Sequence, residues 1–198
     1  MKDSFRLVIT GSPGTGKHTS ARIVAEKLGA QVIDINKVAL DSGNAAAAVV
    51  VARTDRGLDV DTKKLGRLLA AALKKKGSFV VVGHLAPYVL KASAAKIDMV
   101  AVLRRSPSKL ESNLAARKYA RETINENVSA EILGVLLYDS IKAFGRRRVA
   151  EFDTSNRTPD ETAGEIIAAL QKKAPRRTGM VDWLAVLSEE EVQKFFAY

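Results

Sequence analysis

The sequence predicts an α/β fold, a three-layer arrangement in which a five-stranded parallel sheet carries helices on both faces. Three observations lead there. Short β-rich apolar runs alternate with helix-patterned segments five times along the chain. Two of the runs, 78–82 and 97–103, are apolar throughout except for Ser78 and Asp98, as strands buried on both faces should be. A glycine-rich turn joins the first run directly to the first helix.

The elements follow in order. Phe5 to Thr10 is the first strand, and Ala21, Val24 and Leu28 then recur at helical spacing up to Gly29, a natural stop. Gln31 to Ile35 is a second strand. Residues 36–56 are rich in alanine and valine and show no clean period. Asp61 caps a helix through Lys76 with Leu65, Leu68, Leu69, Ala72 and Leu73 on its apolar side, and Gly77 ends it. Ser106-Pro107 opens the next helix with Pro at its first position. The polar stretch 118–126 interrupts the pattern, and one long helix is expected from about Val128 to Phe144. Val149 to Phe152 is the last strand. Thr158-Pro159-Asp160-Glu161 is a capping box that opens a helix to Lys173, and Ser188 to Glu191 is another that starts a short helix in the tail.

Composition bounds the function classes. The 198 residues are 46% apolar, enough for one compact domain. No apolar run approaches the roughly 18 to 20 residues of a membrane span, and residues 1–5 carry no signal-peptide pattern. The expectation is a soluble, cytoplasmic protein without membrane contact. With no cysteine, disulfides and thiolate metal sites are excluded. The net charge is +10, with basic runs at 74–76, 104–105, 146–148 and 172–177. These are either solvated helix ends, where cations are favoured, or surfaces that attract a polyanion such as RNA. Aromatics do not interleave with them, so no stacking platform for single strands is indicated.

The segment Gly11-Ser12-Pro13-Gly14-Thr15-Gly16-Lys17-His18-Thr19 follows a strand and opens a helix, the context that a triphosphate-binding loop requires. Glycines at 11, 14 and 16 let backbone N–H groups turn toward phosphate oxygens, and the helix N-terminus adds its positive end. Lys17 reaches the terminal phosphates. His18 stands where a Ser or Thr usually touches Mg²⁺, and Thr19 comes one place later.

That variant of the loop is seen in adenylate kinases, and residues 5–173 resemble one branch of them, the adenylate kinase isoenzyme 6 family of archaeal and eukaryotic nucleotide kinases linked to small-subunit ribosome maturation. Beyond the loop, the resemblance is carried by Val32-Ile33-Asp34-Ile35, Leu58-Asp59-Val60-Asp61, Val80-Val81-Val82-Gly83-His84, the segment from Arg117-Lys118-Tyr119 through Asn127-Val128-Ser129-Ala130-Glu131-Ile132, and Val149-Ala150-Glu151-Phe152-Asp153-Thr154. It implies a P-loop nucleoside monophosphate kinase-like fold with strand order 2-3-1-4-5. The kinase domain would span 1–173, with a monophosphate-binding insert at about 31–59 and a lid at about 116–126. A tail with a short helix follows at 174–198.

The same resemblance implies transfer of the ATP γ-phosphoryl to AMP, with a slower ATPase and Mg²⁺ as cofactor. It implies a small-subunit ribosomal platform protein as partner and a role in 16S rRNA maturation. ATP would lie on Gly11, Gly14, Thr15, Gly16, Lys17, His18, Thr19 and Arg117, with Lys17, His84 and Arg117 catalytic. AMP would lie on Asp34 and Lys37, and Thr19 and Asp34 would touch the metal through water. The sequence departs from the family at Val82, where an acidic residue is expected two places before the His, and at Lys37, where an Arg is expected.

Other residues remain open at this level. His84 could orient the attacking water or contact a substrate phosphate. Arg104 could face the site or an ion pair. Asp34 could serve the metal or cap a helix. Asp59 and Asp61 suit a turn and a cap. Glu131 suits a salt bridge that positions a lid Arg, or solvent, and Trp183 suits burial that anchors the tail. The rival to a kinase is an assembly factor whose ATP binding switches its hold on a ribosomal protein or rRNA, with kinase turnover incidental. A small-metabolite kinase on the same fold fits the lid segment less well.

Overall fold

The computed structural model describes residues 4–41, 49–54 and 57–196. Five strands form one parallel sheet: β1 (Arg6–Gly11), β2 (Gln31–Asp34), β5 (Phe79–Val82), β6 (Met99–Arg104) and β7 (Val149–Asp153). Their order across the sheet is β2-β5-β1-β6-β7, so the five core strands follow the expected 2-3-1-4-5 order. A separate antiparallel hairpin, β3 (Val50–Thr54) with β4 (Gly57–Val60), lies in the stretch that shows no clean period. Residues 42–48 and 55–56 of the expected monophosphate insert lie outside the described residues.

Strand periodicity sorts the core into two layers. Leu7 and Ile9 of β1 point to one face with Val80, Val82, Met99, Ala101 and Leu103, covered by Ala21, Val24 and Ala25 of α1 (Lys17–Leu28) and Ala163 and Ile166 of α8 (Pro159–Leu170). Val8, Val81, Val100 and Val102 point the other way. Helices α2 (Ile35–Asp41), α3 (Thr62–Ala72), α4 (Ala86–Val89) and α7 (Val135–Phe144) cover them with Ile35, Leu65, Leu69, Val89 and Phe144. A third cluster joins α5 (Pro107–Ala116), α6 (Arg121–Ile132) and α9 (Glu189–Phe196) through Leu110, Leu114, Ile124, Val128, Ile132 and Phe195.

Local signals act as expected at several boundaries. Asp61 accepts from the backbone of Lys63 and Lys64, and Thr158 with Glu161 forms a complete capping box. Ser188 and Glu191 exchange bonds in the same way. The helix capped by Asp61 stops at Ala72, short of the expected Lys76. The helix over 128–144 is two helices, because Gly134 sits in the left-handed region with φ 65 and turns the chain between Ile132 and Val135. The polar stretch 118–126 is also mostly helical, since α6 already begins at Arg121.

The tail docks on the domain. The carbonyl of Arg177 accepts from the amide of Glu151 at 2.8 Å, at the sheet edge formed by β7. Ser129 Oγ donates to the carbonyl of Phe195 at 2.7 Å. Trp183 is half-buried against the third cluster.

Candidate functional site

The loop between β1 and α1 lies at the carboxyl end of the sheet's central strand, where open α/β sheets form their ligand crevice. Its shape is over-determined. Gly14 has φ 94, and a Cβ there would meet Leu110 Cδ1 at 2.9 Å, so α5 packs directly under the loop. Asn113 of α5 also donates to the carbonyl of Gly14 at 2.9 Å. Thr15 Oγ1 donates to the carbonyl of Ser12 at 2.9 Å, and Thr154, just past β7, donates to the carbonyl of Thr15 at 3.2 Å.

Lys17 is buried and its Nζ donates to the carbonyl of Ser12 at 3.3 Å. Burial lowers its pKa from 10.5 to about 8; the Arg117 charge lowers it further and Asp34 partly opposes the fall. A cation held in so poorly solvated a place is favoured most when an anion arrives. Arg117 stands exposed at the end of α5. Among the described residues its guanidinium has no hydrogen-bond or ion-pair partner, so it is available to a ligand.

Asp34 and Val82 are register partners on adjacent strands. The Asp34 carboxylate therefore stands at the level of Val82, one strand away on β2. Asp34 Oδ2 lies 3.2 Å from His18 Nε2, while Oδ1 accepts from the backbone of Asn36 at 2.9 Å and Lys37 at 3.4 Å. Asp34 is thus a helix cap that also faces the loop. Lys37 is exposed on α2, and Thr19 is exposed on the first turn of α1. His18 has a lowered pKa, from burial first and then the Lys17 charge, against the raising effect of Asp34.

His84 follows β5 and is half-buried. Burial, then the charges of Lys17 and His18, lower its pKa to about 4. It is neutral at pH 7, so it can orient a group by hydrogen bonding but cannot serve there as a cation.

Sequence reasoning missed part of the support. Ser12 Oγ donates to Glu131 Oε2 at 2.7 Å, and Glu131 is buried. Arg104, which could have faced the site, is instead a buried ion-pair partner of Glu131 at 2.7 Å and Glu151 at 2.6 Å. An Arg and two Glu at separations of 27 and 47 residues leave no local pattern; the only signal was Arg104 at the end of a fully apolar strand. No group of three or more His, Cys, Asp or Glu able to hold a metal ion comes together among the described residues.

Comparison with known proteins bears on the family and the fold. Residues 7–134 match the AAA domain family. The chain is 33% identical over 183 residues to a Thermococcus kodakarensis protein named "Putative adenylate kinase", covering 92% of this chain and 95% of that one. A Methanocaldococcus jannaschii protein of the same name is 31% identical over 197 residues, covering 98% and 97%. The fold is similar to that of shikimate kinase from Acinetobacter baumannii, with a TM-score of 0.60 at 14% identity over 86% of this chain and 94% of that one. It is also similar to a gluconokinase from Sinorhizobium meliloti, with a TM-score of 0.58 at 17% identity over 88% and 95%. The chain belongs to the AAA domain family and to one family with these relatives named "Putative adenylate kinase".

Proposed function

We propose that this protein is an ATP-dependent nucleoside monophosphate kinase that transfers the γ-phosphoryl group of ATP to AMP. The observation that carries the reading is the buried Lys17 at the loop between β1 and α1, whose pKa the charge of Arg117 also lowers. Two cations converging on one loop suit the charge that spreads over a transferring phosphoryl group. The archaeal relatives' name supports AMP as the acceptor.

In this reading the amides of 11–19 cradle the triphosphate and Lys17 leaves the Ser12 carbonyl to bind its terminal oxygens. The segment at about 116–126 acts as a lid that brings Arg117 over the transferring group and excludes water. Asp34 and Lys37, in the segment at about 31–59, face the monophosphate, and neutral His84 orients the attacking group. The donor set fits a hydrated Mg²⁺ carried by the phosphates rather than one caged by protein, with Asp34 and Thr19 as contacts through water. Bound there, the ion would offset phosphate charge. No covalent intermediate is needed, because positioning and charge account for the step.

A second reading is an ATPase that switches the hold of an assembly factor on a small-subunit ribosomal protein or rRNA. The net charge of +10 and the absence of a hydroxyl at His18 and of a carboxylate at Val82 favour it. Pure protein with ATP and Mg²⁺, followed for ADP and free phosphate with and without AMP, separates the two. ADP that forms only with AMP and without free phosphate supports the kinase. Free phosphate that rises only with ribosomal subunits supports the switch. Both readings assume a cytoplasmic protein; among the described residues no helix is long and apolar enough to cross a membrane.

A further inference from the structure

Ser12 joins the phosphate loop to the protein's buried scaffold. Its carbonyl accepts from Thr15 Oγ1 at 2.9 Å and from Lys17 Nζ at 3.3 Å, so its position sets where the lysine waits. Its hydroxyl donates to Glu131 Oε2 at 2.7 Å. The other oxygen of Glu131 is shared by Arg104 Nε at 2.7 Å, the amide of Arg105 at 3.2 Å and the indole Nε1 of Trp183 at 3.2 Å.

A second thread runs from the tail to the same network. Glu151, the other partner of Arg104, accepts from the amide of Met180 at 2.7 Å through Oε2. Two buried carboxylates thus share one guanidinium, and the tail supplies a neutral donor to each. Buried carboxylates are held in place by the full set of their hydrogen bonds. Losing a donor frees the carboxylate to shift, and Ser12 is attached to its far side.

We propose that Glu131 is a positioning residue that sets the phosphate loop through Ser12, and that the C-terminal tail fixes Glu131 through Trp183, so that nucleotide affinity depends on the docked tail. The proposal rests on the ATP-binding reading of the loop. Coupling of this kind is reciprocal: if the tail tunes the loop, nucleotide on the loop must be felt at the tail. Trp183 is the chain's only tryptophan and reports on that directly.

The test uses the two ends of the relay, because removing Glu131 would strand Arg104 in the core. ATP is titrated into the full chain and into Ser12→Ala, Trp183→Phe and the double variant, by calorimetry and, where Trp183 remains, by its fluorescence. Melting curves are recorded alongside. The expected result is a threefold or greater loss of ATP affinity in each single variant and no further loss in the double. ATP should change Trp183 emission in the wild-type chain and leave it unchanged in Ser12→Ala at saturation. Affinities that multiply in the double variant, or a Trp183→Phe affinity within twofold of wild type, overturn the relay alone. A wild-type chain that does not bind ATP overturns the phosphate-loop reading and the relay with it.

Discussion

Asp34 Oδ2 lies 3.2 Å from His18 Nε2, which ties the last residue of β2 to the first turn of α1, the helix that the phosphate loop opens. His18 occupies the position of the usual Mg²⁺-touching hydroxyl, and its pKa is lowered, with burial as the largest cause. The contact is therefore a hydrogen bond from a neutral imidazole at pH 7 rather than an ion pair. One oxygen of that carboxylate is occupied by it. Replacing His18 by Ser should both restore the hydroxyl and release that oxygen. The concentration of Mg²⁺ giving half-maximal turnover at fixed ATP is expected to fall at least threefold in His18→Ser. A metal titration of the two proteins checks this, and an unchanged midpoint would mean that neither group reaches the ion.

Lys17 gives a pH dependence with a defined sign. Its pKa of about 8 in the free protein means that the ammonium is present below pH 8 and lost above it. The kcat/KM for ATP, which reports on the free enzyme, is expected to fall above about pH 8. In Lys17→Arg that fall should disappear. Lys17→Ala should abolish measurable ATP binding, and retained binding would sink the central reading of the loop.

The same shift acts on stability. Lys17 is charged in the unfolded chain up to its ordinary 10.5 but only to about 8 when folded. Between those values the unfolded state binds more protons, so stability rises with pH there, and the full penalty is present below pH 8. Lys17→Met removes it. The ligand-free variant is expected to be more stable than wild type at pH 7, by up to about 3 kcal/mol, with the gain vanishing above about pH 10.5. Thermal melts at three pH values measure it.

His84 is predicted to act on turnover and not on ATP affinity. Its pKa near 4 keeps it neutral through the working range, so no activity limb between pH 5 and 8 should belong to it. His84→Gly is expected to lower kcat more than tenfold while the Kd for ATP changes by less than threefold. An unchanged kcat would return His84 to a structural role.

Arg104 is predicted to be needed for folding rather than for chemistry. Its guanidinium sits between two buried carboxylates, and removing it leaves both without their cation. Arg104→Leu should lose roughly 3–5 kcal/mol of stability, measured by denaturant unfolding. A loss below 1 kcal/mol would show that the carboxylates find other partners.

The sequence by itself determined the elements whose signals are local. Apolar runs such as 79–82 are strands because nothing in them tolerates water on either face. Lys17 and its glycines form a phosphate loop because the conformation and the chemistry reside in adjacent residues. The capping boxes at Thr158 and Ser188 likewise need only residues three apart. Gly134 shows where such reasoning slipped: an apolar helical pattern over 128–144 hid a single residue whose conformation divides it. Only the tertiary structure decided the rest. The parallel register sets Asp34 beside Val82, and the packing of α6 and the tail brings Glu131, Arg104, Glu151 and Trp183 under Ser12. Ser12 and Glu131 alone are 119 residues apart in sequence, and a buried charge chooses its partner by proximity in the folded core, which no local spacing records.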